Sequence, residues 1–78
     1  MDKEKILLIE VNEIFNQITG KEINLDILTQ KKQIQEWDSI FHLSLIVDLE
    51  CKYGVSFSIA EIESLDSIKK IIDKLNIK

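Results

Sequence analysis

The sequence predicts an all-α fold, a bundle of four helices with a long first loop and a short third helix. Apolar residues recur at helical spacing in three long segments. The chain has two Gly and no Pro among its 78 residues, which is unlike the turn-dense composition of β-rich folds. In the middle segment the apolar residues occupy two opposed helical faces. Together these observations predict one domain, residues 1–78, with antiparallel long helices.

The first helix is predicted over about residues 3–18. Asp2 is available as its N-terminal cap, and Gly20 is placed to end it in a left-handed conformation. Its apolar residues form one stripe: Leu7, Val11, Ile14, Phe15 and Ile18.

Residues 20–37 are polar and lack sustained periodicity, which predicts a long loop. A connection of this length in a compact domain is usually functional or anchored. Asn24 could start a short helical turn inside it. Four apolar residues are spaced to hold the loop against the bundle: Leu25, Ile27, Leu28 and Ile34.

The second helix is predicted from about Ser39 to Tyr53, capped by Asp38 or Ser39 and stopped at Gly54. Its first stripe consists of Leu45, Ile46, Leu49 and Tyr53. Its second stripe, on nearly the opposite face, consists of Ile40, Leu43, Val47 and Cys51. One stripe can be core, and the other requires an interface or a groove wall.

Two shorter segments complete the bundle. Ser58-Ile59-Ala60-Glu61 fits a capping box, which predicts a short third helix, with Val55 and Phe57 packing the link before it. Asp66 is expected to cap a last helix over 67–76. The stripe of this last helix is Ile68, Ile71, Ile72 and Leu75.

The charge of the chain indicates what kind of partner it meets. The formal net charge is −4, and residues 38–66 alone hold six acidic residues and one Lys. An acidic surface repels phosphate backbones, so nucleic acid is not expected as a partner. A protein with Lys or Arg near its docking site would be attracted.

Composition also predicts the compartment. The lone Cys51 cannot form an internal disulfide, which suits a reducing cytoplasm. The longest apolar run, at residues 6–9, is far shorter than the roughly 20 residues that span a bilayer, and no signal peptide is recognisable. We therefore expect a cytoplasmic monomer with no membrane association.

The start of the second helix carries a resemblance to a known family. Trp37-Asp38-Ser39-Ile40, followed by His42-Leu43, Leu45-Ile46 and Leu49-Glu50, resembles the attachment region of acyl carrier proteins. That family's signature is Asp-Ser-Leu opening a helix that continues with aliphatic residues and a Glu. The likeness extends over essentially the whole chain, because the order of helices, the long first loop and the length also match.

The resemblance implies a covalent prosthetic group. Ser39 would be the residue to which a phosphopantetheinyl transferase attaches 4′-phosphopantetheine from coenzyme A through a phosphodiester. The terminal thiol would carry acyl or aminoacyl groups as thioesters, loaded by a ligase and passed to downstream biosynthetic enzymes. Independently, a Ser in the first turn of a helix lies where free backbone N–H groups and the helix dipole favour a phosphate.

The alternative for Asp38 and Ser39 is that they merely cap the helix, a role that these residue types often have. The chain repeats the tripeptide as Asp66-Ser67-Ile68. That copy precedes a helix with a single apolar stripe, so it is interpreted as a plain cap.

The resemblance further implies a surface recognised by the transferase and by partner enzymes, and Asp38 would be part of it. Ile40, Leu43 and Val47 would be an apolar patch touched by partner enzymes; the alternative is that the long loop covers them as ordinary core. The acidic docking groups would be Asp48, Glu50, Glu61 and Glu63, for partners with basic patches. Taken one at a time, these four could equally be a solvated face.

The chain departs from the family pattern of housekeeping fatty-acid carriers. Glu36 and Trp37 precede Asp38 where those carriers typically have Gly two residues before the Asp-Ser pair. Phe41 and Ser44 occupy places that are usually acidic. A specialised stand-alone carrier, in fatty-acid or polyketide biosynthesis, fits this pattern better.

A helical adaptor and a hydrolase are the alternatives to a non-enzymatic carrier. A helical adaptor would keep the carrier fold and bind a protein partner without a prosthetic group. A hydrolase would use Ser39 and His42, but no third orienting group is identifiable, and we expect His42 to pack beside Trp37, an apolar plug at the helix entry. Cys51 is expected to be a small, at least half-buried hydrophobe, and no metal site is predicted.

Overall fold

The described part of the chain, residues 3–77, forms four α-helices and one short 3-10 helix, so the predicted all-α class is confirmed. The computed structural model describes residues 3–77. Helix α1 spans Lys3–Thr19, α2 spans Ser39–Tyr53, α3 spans Ile59–Ser64 and α4 spans Ile68–Ile77, with the 3-10 helix at Lys31–Gln33. Asp2, the expected cap of α1, lies outside the described residues.

The core is formed where α1 packs against both α2 and α4. Helical periodicity puts one face of α1, α2 and α4 toward this core, and these faces carry the predicted stripes of α1 and α4 and the first stripe of α2. The fully buried side chains at its centre are Val11, Phe15, Leu45, Ile46, Leu49, Ile68, Ile71 and Ile72. Ile18 and Tyr53 pack at the margin, as does Val55 beside the buried Phe57.

Both glycines end a long helix in the left-handed conformation, as predicted. Gly20 has φ of +71° and donates to the Asn16 carbonyl at 2.9 Å. Gly54 has φ of +64°, and the following Val55 N–H donates to the Glu50 carbonyl at 3.1 Å. A residue with a side chain is strained at such angles, which explains glycine here.

The long loop is fastened to α1 by two asparagine side chains. Asn12 accepts from the Leu25 N–H at 2.6 Å and donates to the Ile23 carbonyl at 3.0 Å. Asn16, one turn later, accepts from the Ile23 N–H at 2.8 Å. These bonds provide the loop backbone with partners that a neighbouring strand would otherwise supply.

A second anchor joins the loop to the start of α4. The Ile68 N–H donates to the Thr29 carbonyl at 2.9 Å, and the Lys31 N–H donates to the Asp66 carbonyl at 2.8 Å. Gln30 and Ser67 form the single isolated β-bridge of residues 3–77. The 3-10 helix therefore begins at a fixed point beside the third and fourth helices.

Two expectations for the loop are wrong. No helical turn starts at Asn24, because the Ile23 carbonyl and the Leu25 N–H on either side are bonded to the Asn12 side chain. The chain turns instead at Asp26, whose carboxylate accepts from the Leu28 N–H at 2.8 Å, and the 3-10 helix follows it. Leu28 is exposed at the tip of this turn, so it does not hold the loop down, whereas Leu25 is buried.

The cap of α4 is Ser67 and not Asp66, which corrects a third expectation. The Ser67 hydroxyl accepts from the Lys70 N–H at 3.2 Å. Asp66 instead pairs with the Lys70 ammonium at 2.8 Å, and that bond lowers the pKa of the Asp66 carboxyl. Its backbone is engaged with the loop, which shifts the start of the helix by one residue.

Within residues 3–77, no helix combines the length and the apolar character needed to cross a membrane.

Candidate functional site

Helix α2 begins at Ser39, and Asp38 caps it. The Asp38 carboxylate accepts from the Phe41 N–H at 2.8 Å, and the Asp38 carbonyl accepts from the His42 N–H at 2.8 Å. Asp38 has the extended backbone that an N-cap residue requires. Of the two capping candidates in the sequence, Asp38 therefore has the role, and Ser39 is the first residue inside the helix.

Two other serines in the chain show what a capping hydroxyl does. Ser58 accepts from the Glu61 N–H at 3.1 Å, while the Glu61 carboxylate accepts from the Ser58 N–H at 2.9 Å, which is the predicted capping box. Ser67 caps α4 in the same manner. The two Asp-Ser-Ile tripeptides thus adopt different registers, since Asp caps one helix and Ser caps the other.

The Ser39 hydroxyl is exposed and has no hydrogen-bond partner among residues 3–77. It lies in the first turn of α2, where backbone N–H groups are not consumed by the helix and the dipole is positive. A phosphate ester formed on this oxygen would be stabilised electrostatically.

Ser39 borders a shallow cleft between α2 and α3, here called the serine cleft. Its volume is about 280 Å³ and it is lined by Lys31, Ser39, His42, Leu43, Ile62 and Glu63. Leu43 and Ile62 provide apolar walls, and Lys31 provides a cation near the helix start. The cleft therefore combines apolar walls with one cation, Lys31, and one exposed carboxylate, Glu63.

A larger cleft, which Asp38 helps to line, is here called the polar cleft. Its volume is about 670 Å³. Most of its lining side chains are polar or charged: Gln30, Lys31, Lys32, Gln35, Asp38, Glu63 and Asp66, with Ile34 and Trp37. Lys31 and Glu63 border both clefts.

His42 is buried, with 6% of its surface exposed, and both ring nitrogens are engaged. The Trp37 indole N–H donates to Nδ1 at 2.8 Å, and Nε2 lies 2.7 Å from the Ile62 carbonyl. Because an indole N–H can only donate, the neutral imidazole carries its proton on Nε2 and donates it to Ile62. His42 packs beside Trp37 as predicted, and it has no free nitrogen for Ser39.

Trp37 is buried at the entry to α2, and it does more than fill space. Its ring meets Phe15 edge to face, with centroids 5.4 Å apart. Phe41 packs on the same Phe15 ring at 4.5 Å. Phe41, whose place is usually acidic in the housekeeping carriers, is thus a core residue here, and a carboxylate in its place would be buried without a partner.

The second stripe of α2 is exposed. Ile40 is 80% exposed, Leu43 55% and Val47 52%, so the loop does not cover them. Cys51 is exposed as well, which corrects the expectation of a half-buried position. Ile59, at the start of α3, is another large exposed apolar side chain.

The four predicted acidic docking residues are in two different situations. Asp48 and Glu63 are exposed. Glu50 accepts from the Phe57 N–H at 2.8 Å and so holds the link before α3. Glu61 completes the capping box and pairs with Lys74 at 3.1 Å.

Several features of the site could not be read from the sequence. The Ile62 carbonyl is a backbone atom, so no residue type indicates its role. Lys31 lies near Ser39 only because of how the long loop folds. The exposure of Ile59 could not be predicted, because the capping-box motif gives the type of this residue and not its accessibility.

No group of three or more His, Cys, Asp or Glu side chains arranged to hold a metal ion occurs in residues 3–77.

Comparison with known proteins finds one similar solved structure. It is the solution NMR structure of a holo acyl carrier protein from Geobacter metallireducens, with 32% sequence identity and a TM-score of 0.82. The match covers 92% of this chain and 84% of that one. No protein-family model and no curated protein sequence matches the chain.

Proposed function

The chain belongs to the acyl carrier protein family, and on this premise we propose that it carries acyl or aminoacyl groups as thioesters on a 4′-phosphopantetheine arm joined to Ser39. One observation carries the assignment to this residue. The Ser39 hydroxyl is exposed at the start of α2 and is released from capping because Asp38 caps the helix. The similar solved structure is a holo protein, which supports a prosthetic group here as well.

The residues around Ser39 fit such a group. The Ser39 oxygen would form the phosphodiester, and the first turn of α2 together with Lys31 would balance the phosphate charge. Leu43 and Ile62 would contact the apolar part of the arm along the serine cleft. When attached, the arm supplies a terminal thiol that accepts acyl groups as thioesters.

The chain does not activate its own serine. Both nitrogens of His42 are occupied, and the Asp38 carboxylate accepts from a backbone N–H. A base must therefore come from a separate phosphopantetheinyl transferase, as must the binding site for coenzyme A. This arrangement supports a substrate carrier and not a hydrolase.

Partner enzymes would dock on the exposed side of α2. Ile40, Leu43 and Val47 would provide the apolar contact, and Asp48 and Glu63 the charges for a basic patch. Such charge pairs raise association rates more than affinity, which suits a carrier that visits a transferase, a loading ligase and downstream enzymes in turn. We propose that the carrier acts as a monomer in the reducing cytoplasm, where the exposed Cys51 stays a thiol.

The proposal is tested by co-expression with a broad-specificity phosphopantetheinyl transferase, followed by intact mass measurement. We expect the mass of one phosphopantetheine to be added to the wild type and to none of the Ser39→Ala protein. Ser67→Ala is the matched control, because it alters the second copy of the tripeptide and should leave the added mass unchanged.

An unmodified wild type, or an arm that persists in Ser39→Ala, would contradict the proposal. In the first case the exposed second stripe would favour the alternative, a carrier-fold adaptor that binds a protein partner without a prosthetic group. That adaptor would bind equally well when Ser39 is replaced and would lose binding in Leu43→Asp.

A further inference from the structure

We propose that the hydrogen bond between His42 and Ile62 closes the floor of the serine cleft and so restricts the cargo of Ser39 to short or polar acyl groups that stay at the protein surface. This inference rests on the attachment of the arm to Ser39. It assigns to His42, a buried residue that the carrier function does not otherwise use, a role in selecting the cargo.

An alkyl chain tethered near Ser39 would gain free energy by leaving water. Two clefts are lined by Ser39 or by its neighbour Asp38. The polar cleft is lined mostly by charged and amide side chains, which an alkyl chain would desolvate without compensation. The serine cleft has apolar walls, Leu43 and Ile62, so it is the route by which such a chain would approach the core.

His42 is the innermost residue of the serine cleft. Among its lining residues, His42 alone is buried, and the others are exposed or intermediate. Its Nε2 donates to the Ile62 carbonyl at 2.7 Å, which places a bond directly from α2 to α3. A chain that passes deeper between these helices must break this bond.

The space behind His42 is filled. Trp37 donates to Nδ1 of His42 and packs its ring against Phe15, which in turn contacts Phe41. Breaking these bonds would leave the buried Trp37 indole N–H without a partner, which is costly in a core, whereas the Ile62 carbonyl would keep the bond from the Leu65 N–H at 3.2 Å. The interior next to Ser39 is therefore closed by aromatic packing and by a chain of two hydrogen bonds.

The consequence concerns the class of cargo. The serine cleft, at about 280 Å³, must also accommodate part of the arm, so little of it remains for cargo. An acetyl, butanoyl or aminoacyl group needs no burial. A long alkyl chain would remain in water, where it promotes association instead of being protected.

The experiment uses the full-length protein loaded by the transferase from acetyl-, butanoyl- and dodecanoyl-coenzyme A. The thermal unfolding midpoint is measured for each form. For the wild type we expect the acetyl and dodecanoyl midpoints to agree within about 2 °C, whereas burial of the dodecanoyl chain would raise its midpoint by more than about 4 °C. Isotope-filtered NMR should detect no contact between the dodecanoyl methyl group and the core residues Leu45 or Ile71.

Two variants test the role of His42 itself. In His42→Ala the bond to Ile62 is lost and space is created, so the dodecanoyl form should become more stable than the acetyl form. In His42→Gln the amide can still accept from Trp37 and donate to Ile62, so the midpoints should again be independent of chain length. A folded His42→Ala whose midpoint also ignores chain length would overturn the role of His42.

The wild-type series decides the restriction on cargo even when His42→Ala does not fold. A dodecanoyl midpoint well above the acetyl midpoint, or a methyl contact to Leu45, overturns the inference while leaving Ser39 as the attachment site. Failure of every coenzyme A thioester to load the wild type would instead end the proposed function. The two failures are therefore distinguishable in the same experiment.

Discussion

At the scale of single residues, the two Asp-Ser-Ile tripeptides show how context assigns function. In the first copy the Asp38 carbonyl accepts from the His42 N–H inside the helix, so Asp38 caps and Ser39 is left exposed. In the second copy the Asp66 carbonyl is bonded to the Lys31 N–H, and the cap moves to Ser67. The same tripeptide thus leaves the Ser39 hydroxyl exposed and uses the Ser67 hydroxyl as a helix cap.

This difference predicts that Ser→Ala destabilises the protein at position 67 and has little effect at position 39. Ser67→Ala removes a cap and should lower the free energy of unfolding by about 1 kcal/mol. Ser39→Ala removes no hydrogen bond found among the described residues, so we expect a change within about 0.5 kcal/mol. Urea denaturation of the two unmodified proteins measures both values. A larger loss for Ser39→Ala than for Ser67→Ala would show that the capping assignment is reversed.

Individual contacts at the site were only partly predictable. The expected packing of His42 beside Trp37 is confirmed by the hydrogen bond between them. It was predictable because the two residues are only five apart in sequence. The partner of its other nitrogen, the Ile62 carbonyl, lies 20 residues away and has no sequence signal. The choice between Asp38 and Ser39 as cap also stayed open, since both types serve equally well.

At the scale of secondary-structure elements, the loop before α2 behaves as a fixed part of the fold. Asn12 and Asn16 hold its first half, the junction with α4 holds its middle, and Trp37 holds its end. The loop delivers Lys31 and Asp38 to the site. Its order therefore determines how Ser39 is presented.

We expect Asn12→Ala to loosen this loop without dissolving the bundle. The substitution leaves the Leu25 N–H and the Ile23 carbonyl without partners, at a cost of roughly 1–3 kcal/mol. Hydrogen exchange at the Leu25 amide should accelerate more than exchange in α2. Asn24→Ala is the control, because Asn24 is exposed in the same loop. Equal exchange in both variants would contradict the anchoring role of Asn12.

The helices were predictable and the loop was not, for a physical reason. Periodic apolar residues and capping motifs are local signals, and α2 begins and ends at the predicted residues. The loop is held by bonds between residues far apart in sequence, so the turn expected at Asn24 and the burial expected for Leu28 were wrong. The buried positions of Phe41 and His42 were missing from the two-stripe pattern, although they lie one turn before Leu45 and Ile46 on the same face of α2.

At the scale of the whole molecule, negative charge and exposed apolar side chains are concentrated in the same part of the chain. Residues 38–66 hold most of the excess acidity, and the same part of the chain presents Ile40, Leu43 and Val47. The carboxylates of Glu50 and Glu61 stabilise the fold from within. Of the four predicted docking residues, Asp48 and Glu63 are the exposed ones through which a basic partner would be attracted.

A charge reversal at this surface should slow encounter with partners. We expect Asp48→Lys to lower kcat/KM of the transferase by about threefold to tenfold at low ionic strength. Near 1 M salt the effect should largely disappear, because the screening length falls to about 3 Å. Glu13→Lys, an equal change of charge at an exposed position on α1, is the control. An equal loss in both variants would mean that net charge acts and not the α2 surface.

The exposed position of Cys51 has a practical consequence for anyone preparing this protein. It is the one cysteine in the sequence, so the bare polypeptide offers a single titratable sulfhydryl. A polypeptide that carries the arm would offer two, so a colorimetric sulfhydryl assay would measure the fraction of molecules that are modified. Replacing Cys51 by Ser would leave a preparation in which every sulfhydryl detected belongs to the arm.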